Sequence, residues 1–351
     1  MRCTVGPAGQ REDGVVLILV LVMLVVTIAM AAGFMRIVSL ETAGRMARTN
    51  RVRVELLAES GIEIGKRALS DDLARDETDP LALVESSQDS WAILSQQKIE
   101  AEDGSELVVK VVDAGNRINL NGLVDADGQA LPESREFLKL ALEVIIENMP
   151  GRREEKRYDP DELADALIDW VDSDETTRLG DDEESFYQGK GADHGPAGRN
   201  LVSVSELALI PGVDGALLRA LEKYFTTFPI YPENDPIGIN PNTAPPYMLA
   251  LLYQGTSDDM NLVEDDDIFA ILRTRDDDRV FCPEAIEDPC VEYESEIGRV
   301  GELVFPPLSY ESQVFEVRSE ARHKGSRACI TAVIDRSNQQ EMTTLSYRLG
   351  C

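Results

Sequence analysis

The sequence predicts an α+β protein: one long N-terminal helix packed on an antiparallel β-sheet, with a large, mainly helical domain inserted between strands. Three observations carry this expectation. Residues 15–70 contain no proline and keep an apolar helical spacing. Strand-like apolar runs occur at Glu106–Asp113 and again between Gln313 and Leu349. The residues between those runs are dominated by helix-period segments.

The first element opens with Val15–Met35, which carries no charged residue. At about 1.5 Å per residue it spans a hydrocarbon core of roughly 30 Å. A secretory signal peptide is the alternative, but its apolar region is shorter and ends in a small-residue cleavage site. The apolar spacing continues through Val38, Met46, Val52, Leu56, Leu57, Ile62, Ile64 and Leu69, so a membrane helix (residues 15–35) runs on into an amphipathic one ending near residue 70. Arg36, Arg45, Arg48, Arg51 and Arg53 follow the span and, by the positive-inside rule, argue against export of what lies beyond. The cysteine content and the acidic loop described below argue for export, and we give them the greater weight.

After a linker rich in Asp, Ser and Pro, Glu106–Asp113 reads as a strand that turns at Asn116–Asn121. Gln313–Arg322 and Ala328–Arg336 read as a hairpin around Lys324-Gly325, and Thr343–Leu349 as a third strand. Strands at both ends imply one discontinuous domain, residues 71–122 with 308–351, interrupted by residues 123–307. Within the insertion, helices are expected at Ser134–Met149, Asp159–Val171, Ser203–Leu209, Asp214–Tyr224, Ala244–Tyr253 and Glu264–Arg273. Ser203–Leu221 and Ile239–Leu252 have a helix–hairpin–helix flavour. DNA-binding versions need basic residues, and a net charge of −31 opposes them, so no nucleic-acid partner is expected.

Asp159–Glu184 holds twelve acidic residues and one basic one, Arg178. Asp172 and Asp174 on one side, and Asp181, Glu183 and Glu184 on the other, bracket a short loop. Alternating oxygen ligands followed by a second carboxylate cluster suit the six to eight oxygens of Ca²⁺. Asp172, Asp174 and Glu183 match EF-hand positions, but Thr177 stands where that loop requires glycine, which excludes an EF-hand. A solvated acidic loop is the competing reading.

Five cysteines are present: Cys3, Cys282, Cys290, Cys329 and Cys351. None forms a CxxC, and with only His194 and His323 available, both expected to be solvated, a Cys/His zinc site is not expected. Loss of Cys3 with a leader would leave four, which suits an oxidising compartment. Cys282 and Cys290 lie close in one loop and are paired first; Cys329 with Cys351 follows by elimination. No GxSxG, HExxH, GxxxxGK[ST] or GxGxxG occurs, so no catalytic residues are assigned.

Taken together, GVVLILVLVML (from Gly14), RINLN, DALIDWVDSDETTRLGDDEESFY (from Asp165), SVSELALIPGVD and INPNTAPPYMLALL resemble, in order, the general secretion pathway protein K family, minor pseudopilins of type II secretion systems. The resemblance implies a pilin-like fold and a leader, residues 1–14, cleaved by prepilin peptidase between Gly14 and Val15 and followed by methylation. It places Asp172, Asp174, Glu183 and Glu184 in a calcium-binding segment. Most pilin-like proteins carry Glu at the fifth mature residue, which here is Leu19. A subunit at the filament tip has no neighbour ahead to pair with such a carboxylate, and an unpaired one is costly in lipid.

The implied protein is non-enzymatic and anchored in the inner membrane with its bulk in the periplasm. It would sit at the pseudopilus tip, where it initiates assembly and supports export. Its implied partners are other minor pseudopilins, the inner-membrane assembly platform, prepilin peptidase and secreted substrates. The rival readings are a type IV pilus minor pilin and a membrane-anchored, calcium-dependent periplasmic hydrolase.

Overall fold

The computed structural model describes residues 12–74, 81, 84–151, 158–177, 182–191, 193–230, 238–256, 259–284, 288–338 and 342–350, with side chains from Val15 onward. Helix α1 runs unbroken from Glu12 to Leu73, 62 residues or about 93 Å at the usual rise. Its apolar first part is exposed along its length and is long and apolar enough to cross a membrane. From Val54 onward one face is buried, through Val54, Ala58, Ile62 and Leu69, at the three-to-four-residue spacing of a helix packed on a sheet.

That face covers a five-stranded antiparallel sheet of order β1-β2-β10-β11-β12 (Lys98–Glu100, Glu106–Asp113, Val314–His323, Ser326–Asp335, Thr343–Leu349). Inward residues alternate: Leu107, Val109 and Val111 on β2, Phe315, Val317 and Ala321 on β10, and Ile330, Ala332 and Ile334 on β11. Gly61 and Gly65 allow the helix to come this close, because a Cβ on Gly65 would lie 2.6 Å from Val317 Cγ1. A short helix, α2 (Ser90–Ser95), sets Trp91 edge-on against Phe315 at 5.3 Å. The end of α1 is tied down by a buried charge network. Arg336 pairs with Asp72 and Glu85 and lies 4.4 Å over the Phe315 ring.

Between β2 and β10, neighbours in the sheet, the chain makes a long excursion with its own apolar core. It begins at β3 (Ile118–Asn119), which pairs in parallel with β4 (Phe225–Thr226). Helices α3 (Ser134–Glu147) and α4 (Pro160–Val171) pack together through Phe137, Ala141 and Leu142 against Leu163, Ala164 and Leu167. Then come α5 (Glu183–Gly189), a 3-10 turn at Val204–Leu209, α6 (Gly215–Tyr224) and α7 (Pro246–Leu249). A three-stranded sheet, β6-β5-β9 (Asp259–Leu262, Tyr253–Thr256, Leu303–Phe305), and a parallel pair, β7-β8 (Val280–Phe281, Cys290–Val291), close the excursion around α8 (Asp265–Asp276) and α9 (Tyr293–Ile297).

The asparagines of RINLN and INPNT work as buried staples. Asn121 Nδ2 donates to the carbonyls of Leu201 and Thr227, both at 3.0 Å, while its Oδ1 accepts from Leu201 N–H at 2.7 Å. Asn242 exchanges two bonds of 2.8 Å with the backbone of Phe281. Each side chain thus satisfies backbone groups of a distant segment that are shut off from water.

Two local expectations are corrected. Ala244–Tyr253 is not one helix: α7 lasts a single turn, and Tyr253 enters β5 opposite Phe305 and Leu262. Leu249, Leu251 and Leu252 are all fully buried, and a run that is apolar on every side carries no period to separate helix from strand. His323 is not solvated; it is buried at the end of β10, with Nδ1 2.9 Å from Ser105 Oγ.

Candidate metal centre

Helix α4 starts where Asp159 accepts hydrogen bonds from Asp161 and Glu162 N–H, with Pro160 in its first turn. Its apolar face is fixed against α3, and this carries Asp169 and the C-capping Asp172 inward; both are buried. The negative end of a helix is a poor place for carboxylates unless a cation is present.

The chain then turns back on itself. Asp174 Oδ1 accepts from Thr176 N–H (2.8 Å) and Oγ1 (3.0 Å), and Thr176 bridges to Asp182. Asp182 caps α5 by accepting from Ser185 N–H at 2.9 Å, and this places Glu183, 3% exposed, in the first turn of α5 facing the end of α4.

One carboxylate oxygen from each of Asp172, Asp174 and Glu183 lies within 4.8 Å of the others. Asp172 Oδ1 and Glu183 Oε1 are buried without any hydrogen-bond partner, and no described Lys or Arg pairs with these three carboxylates. The electrostatic consequence is large. Burial, reinforced by Asp174, pushes the Asp172 carboxyl up to about 6. Burial with Asp172, Asp165 and Asp174 pushes Asp169 up to about 7. Burial with Asp169, Asp172, Asp174 and Asp182 pushes Glu183 up to about 8. Trp170 and Tyr187, with rings 5.9 Å apart, pack beside this cluster.

Orphaned, mutually repelling carboxylate oxygens are what a hard divalent cation satisfies, and a donor set without sulfur or imidazole disfavours zinc and softer metals. Of the residues expected to form the site, Asp172, Asp174 and Glu183 are brought together. Glu184 is exposed and accepts from Gln188 Nε2, so it is not part of the group. Asp181 lies outside the described residues. Asp169 faces the cluster although its sequence position, inside a helix rich in acidic residues, gave no sign of it.

A second carboxylate trio, Asp72, Glu85 and Asp89, is also buried, but Arg336 already supplies its cation. Asp267, in the weaker acidic run, pairs with Arg299 at 3.0 Å. Cys282 and Cys290 are joined by a disulfide with their Cα atoms 5.4 Å apart. Cys329 is also disulfide-bonded, while Cys351 falls outside the described residues. Gly14 and Val15 sit within the first turn of α1, where Val15 is exposed.

A sequence profile of type II secretion system protein K matches residues 116–230, the stretch from RINLN through the acidic loop to α6 and β4. Type II secretion system protein K of Aeromonas hydrophila is 26% identical, over 97% of this chain and 97% of its own length. The putative type II secretion system protein K of Escherichia coli K12 is also 26% identical, over 63% of this chain and 64% of its own length. The fold is similar to a chain in the crystal structure of the GspK-GspI-GspJ complex of enterotoxigenic Escherichia coli. That match has a TM-score of 0.55 and 19% identity, covering 87% of this chain and 98% of that one.

Proposed function

From a chain that belongs to the type II secretion system protein K family of minor pseudopilins, we propose a subunit that sits at the tip of the pseudopilus, initiates its assembly and supports export of folded proteins. The observation that carries this reading is the single unbroken helix α1, exposed and apolar at one end, with a bulky excursion packed beyond its other end. The exposed half suits lateral packing among the helices of a filament. The excursion between β2 and β10 would obstruct a subunit stacking on top, and Leu19 leaves no carboxylate in the lipid for such a subunit to neutralise.

In this reading prepilin peptidase cuts between Gly14 and Val15 and the new terminus is methylated. The chain waits as a single-pass inner-membrane protein with its bulk in the periplasm until the assembly platform extracts it. The solved relative's complex contains GspI and GspJ, so the corresponding minor pseudopilins are the proposed partners, and secreted substrates are proposed to meet the exposed face of the excursion. A role without catalysis agrees with the names carried by the relatives. Asp172, Asp174 and Glu183 would hold a Ca²⁺, which neutralises their charge and joins the end of α4 to the start of α5.

The test is co-expression of the full-length chain with the other minor pseudopilins of its own system, followed by affinity purification in detergent. A stoichiometric complex supports the reading. A chain that purifies alone, beside partners that associate with one another, contradicts it.

A further inference from the structure

The backbone between the two aspartates of the cation site is gripped by a turn far away in sequence. At Val124–Ala130 the chain folds over itself in a single antiparallel bridge. Asp125 Oδ1 accepts from Asp127 N–H and Gln129 N–H, both at 2.9 Å, and Gly128 adopts φ +76°. The carbonyls at its tip point at Ser173. Ser173 N–H donates to Gly128 O at 2.9 Å, and Ser173 Oγ donates to Asp127 O at 3.2 Å. The two surfaces touch so closely that a Cβ on Gly128 would lie 2.7 Å from Ser173 Oγ and 2.8 Å from Ser173 Cβ.

Ser173 stands between Asp172, with its orphaned buried Oδ1, and Asp174. We propose that the Asp125–Gln129 turn is a clamp that sets the spacing of the cation ligands, with Gly128 and Ser173 as its positioning residues. The proposal rests on the calcium reading of the site. Without the grip, the loop after α4 has only local turns to hold two mutually repelling carboxylates on one side. With it, the repulsion is borne by the fold before the ion arrives, and the ion meets a prepared site. Glycine is required at 128 twice over: for its positive φ and for the absence of a Cβ where Ser173 sits.

The experiment is titration of the full-length chain in detergent with Ca²⁺ by calorimetry and with Tb³⁺ by luminescence sensitised through Trp170, with melting temperatures recorded in chelator. Gly128→Ala is expected to weaken binding about 10- to 100-fold, the usual range for loss of an outer support of a metal ligand, with a melting temperature that falls further in calcium than in chelator, where only the strain at residue 128 itself is felt. Ser173→Ala, which keeps the N–H bond, is expected to weaken it less. Gly128→Ala combined with Ser173→Gly, which vacates the contested space, is expected to recover part of the loss. Wild-type affinity in both single variants overturns the clamp. So does a melting temperature that falls as far in chelator as in calcium, because that is a purely structural role. If Gly128→Ala does not fold, Ser173→Ala decides alone. A wild-type chain that binds neither ion overturns the calcium reading itself, and the clamp with it.

Discussion

Thr243 donates its hydroxyl to Asp113 Oδ2 at 2.6 Å, joining the inserted segment to the last residue of β2. The same carboxylate accepts from Gly115 N–H at 2.6 Å, from Asn240 Nδ2 at 3.3 Å and from the hydroxyl of Ser312 on the returning chain. Asp113 is therefore a buried junction of the strand, the outgoing segment, the INPNT motif and the return. Burial raises its pKa, and the four donors oppose that rise.

Removing the junction leaves several donors buried without an acceptor. Asp113→Ala should cost about 3 kcal/mol or more, and Thr243→Val about 1 kcal/mol. Urea unfolding followed by far-ultraviolet circular dichroism measures both. Equal, small losses would mean that water replaces the carboxylate.

The staple at Asn121 serves the insertion's own core. Asn121→Ala strands Leu201 N–H and two carbonyls, so a loss of about 2–4 kcal/mol is expected. Asn121→Asp keeps an acceptor for Leu201 but faces two carbonyls with a charge, and should be no better. A melting temperature of either variant near that of the wild type contradicts the assignment.

The acidic centre should make metal-free stability depend on pH in a defined direction. Asp172, Asp169 and Glu183 titrate near 6, 7 and 8 in the folded chain, against about 4 when unfolded. Between those limits the folded state holds more protons, so stability falls as pH rises from about 4 to 8. Calcium should remove that fall and raise the melting temperature most at the alkaline end. Melting curves in chelator and in calcium across this range check the sign. The calcium effect should vanish in an Asp172→Ala, Asp174→Ala chain.

Processing at Gly14 is tested in cells. A bulky residue there should leave a longer precursor in the inner membrane when prepilin peptidase is present. Identical migration of variant and wild type on a gel would remove the cleavage assignment.

The α+β class was legible in sequence because its main elements carry clean periods. α1 has no proline in 62 residues, and β10 alternates from Phe315 to His323 ahead of the Lys324-Gly325 turn. The pilin-like architecture came from motif resemblance, which periodicity alone does not provide. What stayed hidden depends on tertiary context. α5 has only seven residues and is started by the Asp182 cap within a charge run, so it reads as loop. β5 hides at the end of an apolar stretch. Asp169 looks like one more surface carboxylate until the fold buries it beside Asp172 and Glu183. Asp113 and His323 gain partners 130 and 218 residues away, Thr243 and Ser105, which no local pattern announces.

Position at the filament tip can be seen by immunogold labelling of pseudopili assembled from the wild-type set of subunits. With antibody against the inserted segment, gold is expected at one end of each filament and none along its length. Gold distributed along the shaft would contradict it, because a chain that tolerates subunits stacked above it is not a cap.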